Sequence, residues 1–206
     1  METHAEIPFR IWFGILWLLY FGVRIYFQAR VAGQRTFVRS NEKQESFFFR
    51  LSALAYLFLP LYCLTPWLDF AHFPFPIWLR WIGGFVTCIG IALFGWAHYA
   101  LGANWTAVLA LSQEHELVTQ GPYRLVRHPM YSAFFTIGIG LFLLCANWII
   151  AFLYLGTLTL MYAFRVSKEE EMMISRFGET YRQYMQKTGR IFPRLEKHER
   201  SNTGSS

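Results

Sequence analysis

Charge is what this chain has least of. Of its 206 residues only 16% are Asp, Glu, Lys or Arg, where a soluble domain carries about a quarter. That scarcity is at odds with an ordinary water-facing surface along most of the chain. Cysteine is sparse as well: Cys63, Cys88 and Cys145 stand singly in or at the ends of apolar runs. They lack the paired spacing of a disulfide framework or a zinc set and read as small core residues. No Gly-x-Gly-x-x-Gly follows a strand-like run, and no strand pattern is evident, so nothing points to a doubly wound nucleotide-binding domain. Glu2 and Glu6 precede the first apolar run and no small-residue cleavage site follows it, so that run is expected to be a retained span rather than a secretory leader.

What remains is apolar: 54% of the residues are hydrophobic and 19% aromatic. The few charges are bunched, leaving windows of the roughly 20 residues that cross a bilayer. These windows run from Ile7 to Phe27, interrupted by Arg10 and Arg24, from Phe47 to Leu68, and from Ile77 to Tyr99. Tyr131 to Phe164 contains no charged residue at all and suffices for two short spans with a turn near Asn147. The expected fold is an all-α integral membrane protein of about five transmembrane helices, the last two a helical hairpin, plus a C-terminal amphipathic helix. Residues 1–194 are read as one domain and 195–206 as a disordered polar tail.

Lys and Arg outside the spans alternate. The first connection carries Arg30, Arg35, Arg39 and Lys43, the second (Asp69 to Pro76) neither type, the third Arg124 and Arg127, and the segment from Arg165 onward is densely basic. The positive-inside rule then sets the N-terminus outside and the C-terminus in the cytoplasm. It also accounts for the net charge of +6 without any nucleic-acid partner. The basic first loop is read as topology plus contact with anionic lipid.

The third connection, Leu101 to Met130, is longer than a bundle loop needs. It contains "LGANW" and "QEHELVTQGPYRLVRHP". Gly121-Pro122 marks a turn, and Pro129 suits the first turn of the next span. His128 has no such structural explanation, because an ionisable group at the edge of a span is costly without a partner. Partners of the right kind follow the last span, in "FRVSKEEEMMISRFGETYRQYMQKTGRIFP". From Lys168 to Met185 apolar residues recur at helical intervals, predicting one amphipathic helix on the membrane surface. Glu169, Glu170 and Glu171 then sit in its first turn, where the helix dipole favours carboxylates. Alternatively, if the span's helix continues out of the bilayer, Arg165 and Glu169 share one face. That would set a cation and an anion opposite His128.

"HELVTQGPYRLVRHPMYSA", the unbroken apolar hairpin, then "EE" and "FGETYRQY" together resemble the isoprenylcysteine carboxyl methyltransferase family, and more loosely membrane phospholipid methyltransferases. The resemblance covers about Gly102 to Pro193. It implies an S-adenosylmethionine-dependent methyltransferase whose cofactor lies between the third connection and the C-terminal helix. By position it assigns cofactor contacts to His115, Glu116, Leu117, Val118, Tyr123, His128, Pro129, Met130, Tyr131 and Glu169. Arg165 takes the place of the family's substrate-binding arginine, and Glu170, the second Glu of the pair, lines the site with it in a catalytic role. No metal is implied. The implied partners are the bilayer and a lipophilic methyl acceptor carrying a carboxylate. Ala133 stands where the family often has glycine, and "NWTAVLALSQE" matches no polar cofactor contacts known upstream in relatives.

Two other readings stay open. An amine or thiol acceptor would need a base, for which the residues offer Glu170 and His115. A non-enzymatic transporter should carry polar groups near the midplane, and the last two spans have almost none.

Overall fold

The structure, a computed structural model, describes residues 2–30, 36–39, 50, 61–104, 110–112 and 116–194. Among these the chain is almost entirely helical: α1 (Glu2–Arg30), α2 (Ile77–Leu101), α3 (Pro129–Cys145), α4 (Trp148–Phe177) and α5 (Glu179–Lys187). Within α4 the turn Phe152–Gly156 is π-helical. Glu6–Arg30, Ile77–Leu101 and Trp148–Phe177 are long and apolar enough to span a membrane, and Pro129–Cys145 is a shorter apolar helix. Most of the second window, Phe47 to Leu68, lies outside the described residues, as do 195–206 and His115.

Helical periodicity builds the core. Phe9, Phe13, Leu16 and Tyr20 form the buried stripe of α1, at the spacings that return to one helix face. They meet Ile91 and Phe94 of α2 and Ile137, Leu141 and Leu144 of α3. The α2–α3 seam is built from small residues. A Cβ on Gly90 would sit 2.6 Å from Ile137 Cγ1 and 2.8 Å from Ile137 N, and one on Gly140 would lie 2.6 Å from Thr87 N. Such close approach is how helices associate where no hydrophobic gain separates them from lipid. Ala133 is fully buried on this seam, with its carbonyl facing Gly90. The opposite faces expose Ile7, Ile11, Ile15, Leu18, Phe85, Ile89, Ile139, Phe152 and Leu160. An apolar belt of this kind suits hydrocarbon and not water.

Partly buried ion pairs fasten one end of the bundle. Arg80 of α2 donates to Glu6 of α1 through Nη1 (2.5 Å) and Nη2 (2.7 Å), and through Nε to the Leu144 carbonyl of α3 (3.0 Å). Arg10 pairs with Asp69 and donates to Thr65 O at 2.9 Å. The Arg80–Glu6 pair, with side chains 7% and 20% exposed, ties α1 to α2, and losing one partner would leave a poorly solvated charge behind. Arg10, which interrupts the first apolar window, is therefore a partnered residue at the end of its span. At the same end the hairpin turns where the sequence placed it. Ala146 takes a left-handed conformation (φ 48°), and Asn147 Oδ1 accepts from Ile149 N (3.1 Å) and Ile150 N (3.2 Å). Its Nδ2 donates to Leu68 O at 2.7 Å.

The structure adds one small feature to the helical fold and corrects one expectation. Thr36–Arg39 pairs antiparallel with Ala110–Ser112, a two-stranded ribbon that joins the first and third connections. Strands of four and three residues leave no readable alternation in the sequence. The single amphipathic helix from Lys168 to Met185 is in fact two. α4 continues past the apolar run to Phe177, and Gly178 (φ 56°) stops it, its N–H bonded to Ile174 O. A glycine at positive φ is a common end of a helix. The three glutamates therefore sit well inside a continuous helix and not in a first turn.

The loop holding Asp69 and the segment after α2 lie at opposite ends of the bundle. Topology reporters fused at Ala71 and Ala103 are expected on opposite sides of the membrane. Both on one side would break the arrangement.

Candidate functional site at the membrane boundary

The other end of the bundle gathers the motif, the end of α4, and α5. Gly121–Arg124 forms a tight turn with Pro122 in its second position, burying Pro122 and Tyr123. α5 lies over it, with Tyr184 Oη donating to Tyr123 O at 2.6 Å. The segment after α5 then runs beside the motif. Arg127 N–H donates to Gly189 O (2.8 Å), His128 N–H to Arg190 O (2.9 Å), and Ser132 Oγ to Ile191 O (2.7 Å).

His128 immediately precedes α3, but its side chain makes no capping bond. It faces α4 instead, with Nδ1 3.5 Å from Glu169 Oε2 and Nε2 3.4 Å from Glu170 Oε1. Tyr131 Oη donates to Glu169 Oε1 at 2.9 Å, and Arg165 Nε lies 3.4 Å from that same oxygen. Because α4 continues out of the apolar run, Arg165 and Glu169 do share one face. Both imidazole nitrogens can act as donors only in the charged ring. Burial works against that charge, but hydrogen bonding to Glu169 and Glu170 and their negative charges outweigh it and raise the His128 pKa.

The two glutamates differ sharply. Glu169 keeps 23% of its side-chain surface exposed and Glu170 only 4%, so only Glu169 is open to a ligand. Glu170 is enclosed by Arg127 Nε (3.0 Å), Arg190 Nη2 (2.6 Å) and His128. Arg127 also donates to Met185 O (3.1 Å) and Thr188 O. With its oxygens engaged by three cations, Glu170 is poorly suited to accept a proton.

The structure thus brings together His128, Tyr131, Arg165, Glu169 and Glu170. Tyr123 and Pro129 are buried beneath them and Met130 is half-buried at the start of α3. Glu116, Leu117 and Val118 form an irregular segment tied to the end of α2 by Glu116 N–H and Asn104 Oδ1 (2.8 Å). Among the described residues no hydrogen bond or ion pair joins that segment to His128 or Glu169. Sequence reasoning missed Arg127 and Arg190 as partners of Glu170. Arg127 stood in the motif, whereas Arg190 carried no spacing signal.

A bundle of span-length helices with an apolar belt on its outer faces is a multi-pass integral membrane protein, and the motif's ionic cluster lies at one end of that bundle. The sequence profile described as "Isoprenylcysteine carboxyl methyltransferase (ICMT) family" matches residues 82–175. A probable protein-S-isoprenylcysteine O-methyltransferase of Oryza sativa subsp. indica is 30% identical over 145 residues, 69% of this chain and 76% of the relative. The chain belongs to the isoprenylcysteine carboxyl methyltransferase family. The protein-S-isoprenylcysteine O-methyltransferase of Schizosaccharomyces pombe is 32% identical over 118 residues, 56% of this chain, and the match spans half of that relative's length. A solved structure described as the eukaryotic intramembrane Ras methyltransferase ICMT superposes with a TM-score of 0.52 at 27% identity, covering 76% of this chain and 55% of that one.

Proposed function

We propose that this protein transfers a methyl group from S-adenosylmethionine to the carboxylate of an isoprenylcysteine-type lipid substrate. The observation that carries the proposal is Glu169: a partly exposed carboxylate held by His128, Tyr131 and Arg165 at the mouth of the apolar hairpin.

The amino-acid end of the cofactor carries one ammonium and one carboxylate, and Glu169 beside His128 offers one anion and one cation. In this reading Glu169 accepts from the ammonium or ribose, His128 donates to the cofactor carboxylate, and Met130 and Tyr131 wall the pocket, supported from beneath by the buried Tyr123 and Pro129, which family position also assigns to it. Glu116, Leu117, Val118 and His115 are assigned to the same pocket by family position. When bound, the cofactor supplies a methyl on a sulfonium, which a carboxylate oxygen can take without prior deprotonation.

Arg165 offers the acceptor carboxylate a planar two-point fork. Arg127, Arg165, Arg190 and protonated His128 outnumber Glu169 and Glu170, an excess of positive charge that favours anionic ligands. Tyr162 packs on Tyr131 and Phe135, with ring centroids 5.1 and 5.7 Å apart. These rings form an aromatic wall between α3 and α4 along which a lipid tail can lie. The enclosed Glu170 is unsuited to serve as the base that an amine or thiol acceptor would require, which supports the carboxylate reading. The basic residues at this end orient the site to the cytoplasm.

The test is saturable binding of radiolabelled S-adenosylmethionine in detergent, followed by methyl transfer to a prenylcysteine analogue. The expected product is a base-labile methyl ester. No cofactor binding, or label recovered only in a phospholipid amine, would overturn the proposal.

A further inference from the structure

Glu170 is the most enclosed carboxylate of the cluster, and its cations come from two places. Arg127 and His128 reach it from the motif with side chains only 8% and 9% exposed, whereas Arg190 arrives from the segment after α5 with 47% of its side chain exposed. Arg190 grips both carboxylate oxygens: Nε lies 3.2 Å from Oε1 and 3.0 Å from Oε2, and Nη2 2.6 Å from Oε2. The path of its segment does not depend on that grip. The backbone bonds of Arg127 and His128 to Gly189 and Arg190 hold it, and a Cβ at Gly189 would collide with the Phe192 backbone. Arg190 also lies beyond the family match at residues 82–175.

We propose that Arg190 is a positioning residue for the donor site: by neutralising Glu170 it leaves His128 available to Glu169 and to an incoming carboxylate. His128 stands between the two glutamates at nearly equal distances, 3.5 and 3.4 Å. Without Arg190 the charge of Glu170 would draw the imidazolium toward itself and repel a ligand carboxylate. Arg190 acts only through Glu170, so its effect vanishes when Glu170 carries no charge. A purely structural anchor of the segment would show no such dependence.

The inference rests on the cofactor reading above. The experiment is a double-mutant cycle on S-adenosylmethionine affinity in detergent, with thermal unfolding as a check on folding. Arg190→Gln should weaken binding about tenfold, the scale of one charge-assisted hydrogen bond, while Arg190→Lys, which keeps the charge, should stay within about threefold of the unmodified protein. In a Glu170→Gln background the same Arg190→Gln change should cost less than about twofold, because non-additivity reports coupled residues. An Arg190→Gln protein that binds normally, or an equal loss in both backgrounds, overturns the role of Arg190. An unmodified protein that fails to bind the cofactor overturns the cofactor reading instead.

Discussion

Arg165→Lys is expected to lower methyl transfer to a prenylcysteine acceptor by on the order of a hundredfold at saturating cofactor, the cost of misplacing a reacting group by about an ångström. S-adenosylmethionine affinity should stay within about twofold, because lysine keeps the charge that faces Glu169. What lysine loses is the planar fork, so the acceptor oxygen would be tethered without being aimed. The competing role for Arg165 is that of a snorkelling anchor at the end of a span. Its position disfavours this: only 16% of its side chain is exposed, and Nε is turned to Glu169 at 3.4 Å. Lysine snorkels as well as arginine, so full turnover in the variant would return Arg165 to the anchor role.

Glu169→Ala and His128→Ala should each weaken S-adenosylmethionine binding by about ten- to a hundredfold, the worth of one charge-assisted hydrogen bond at roughly 1.5–3 kcal/mol. The His128 effect carries a pH signature. Burial opposes the imidazolium, but the two glutamates raise its pKa above the ordinary 6.5. The stabilisation it provides is therefore complete below that ordinary value and is lost as pH rises through the raised one. As pH rises above that ordinary value, cofactor affinity and the thermal midpoint should fall in the unmodified protein, and His128→Ala should flatten that part of the slope. Unchanged binding in folded variants would put the pocket elsewhere.

Much of this was legible without coordinates because the rules involved are local. Hydropathy is a property of each residue and its neighbours, so three of the apolar windows appear as span-length helices or a hairpin. The turn at Asn147 fell where the uncharged run had to reverse. Arg165 and Glu169 are four residues apart, a spacing that aligns them on any helix that includes both. Whether one helix did include both was a different matter. An isolated glycine within a helical pattern can be tolerated or can end the helix, and only the packed structure placed the break at Gly178, beyond the glutamates.

For charges distant in sequence, tertiary structure alone decided which meet. Glu6 and Arg80 are 74 positions apart, Arg127 and Glu170 43, and Glu170 and Arg190 20. No periodicity connects such residues, because each pair forms only after helices dock and exclude water from between them. The difference between Glu169 and Glu170 arises in the same way. Adjacent in sequence and chemically identical, they are turned about 100° apart by the helix. One comes to rest in a cage of cations and the other at an open mouth.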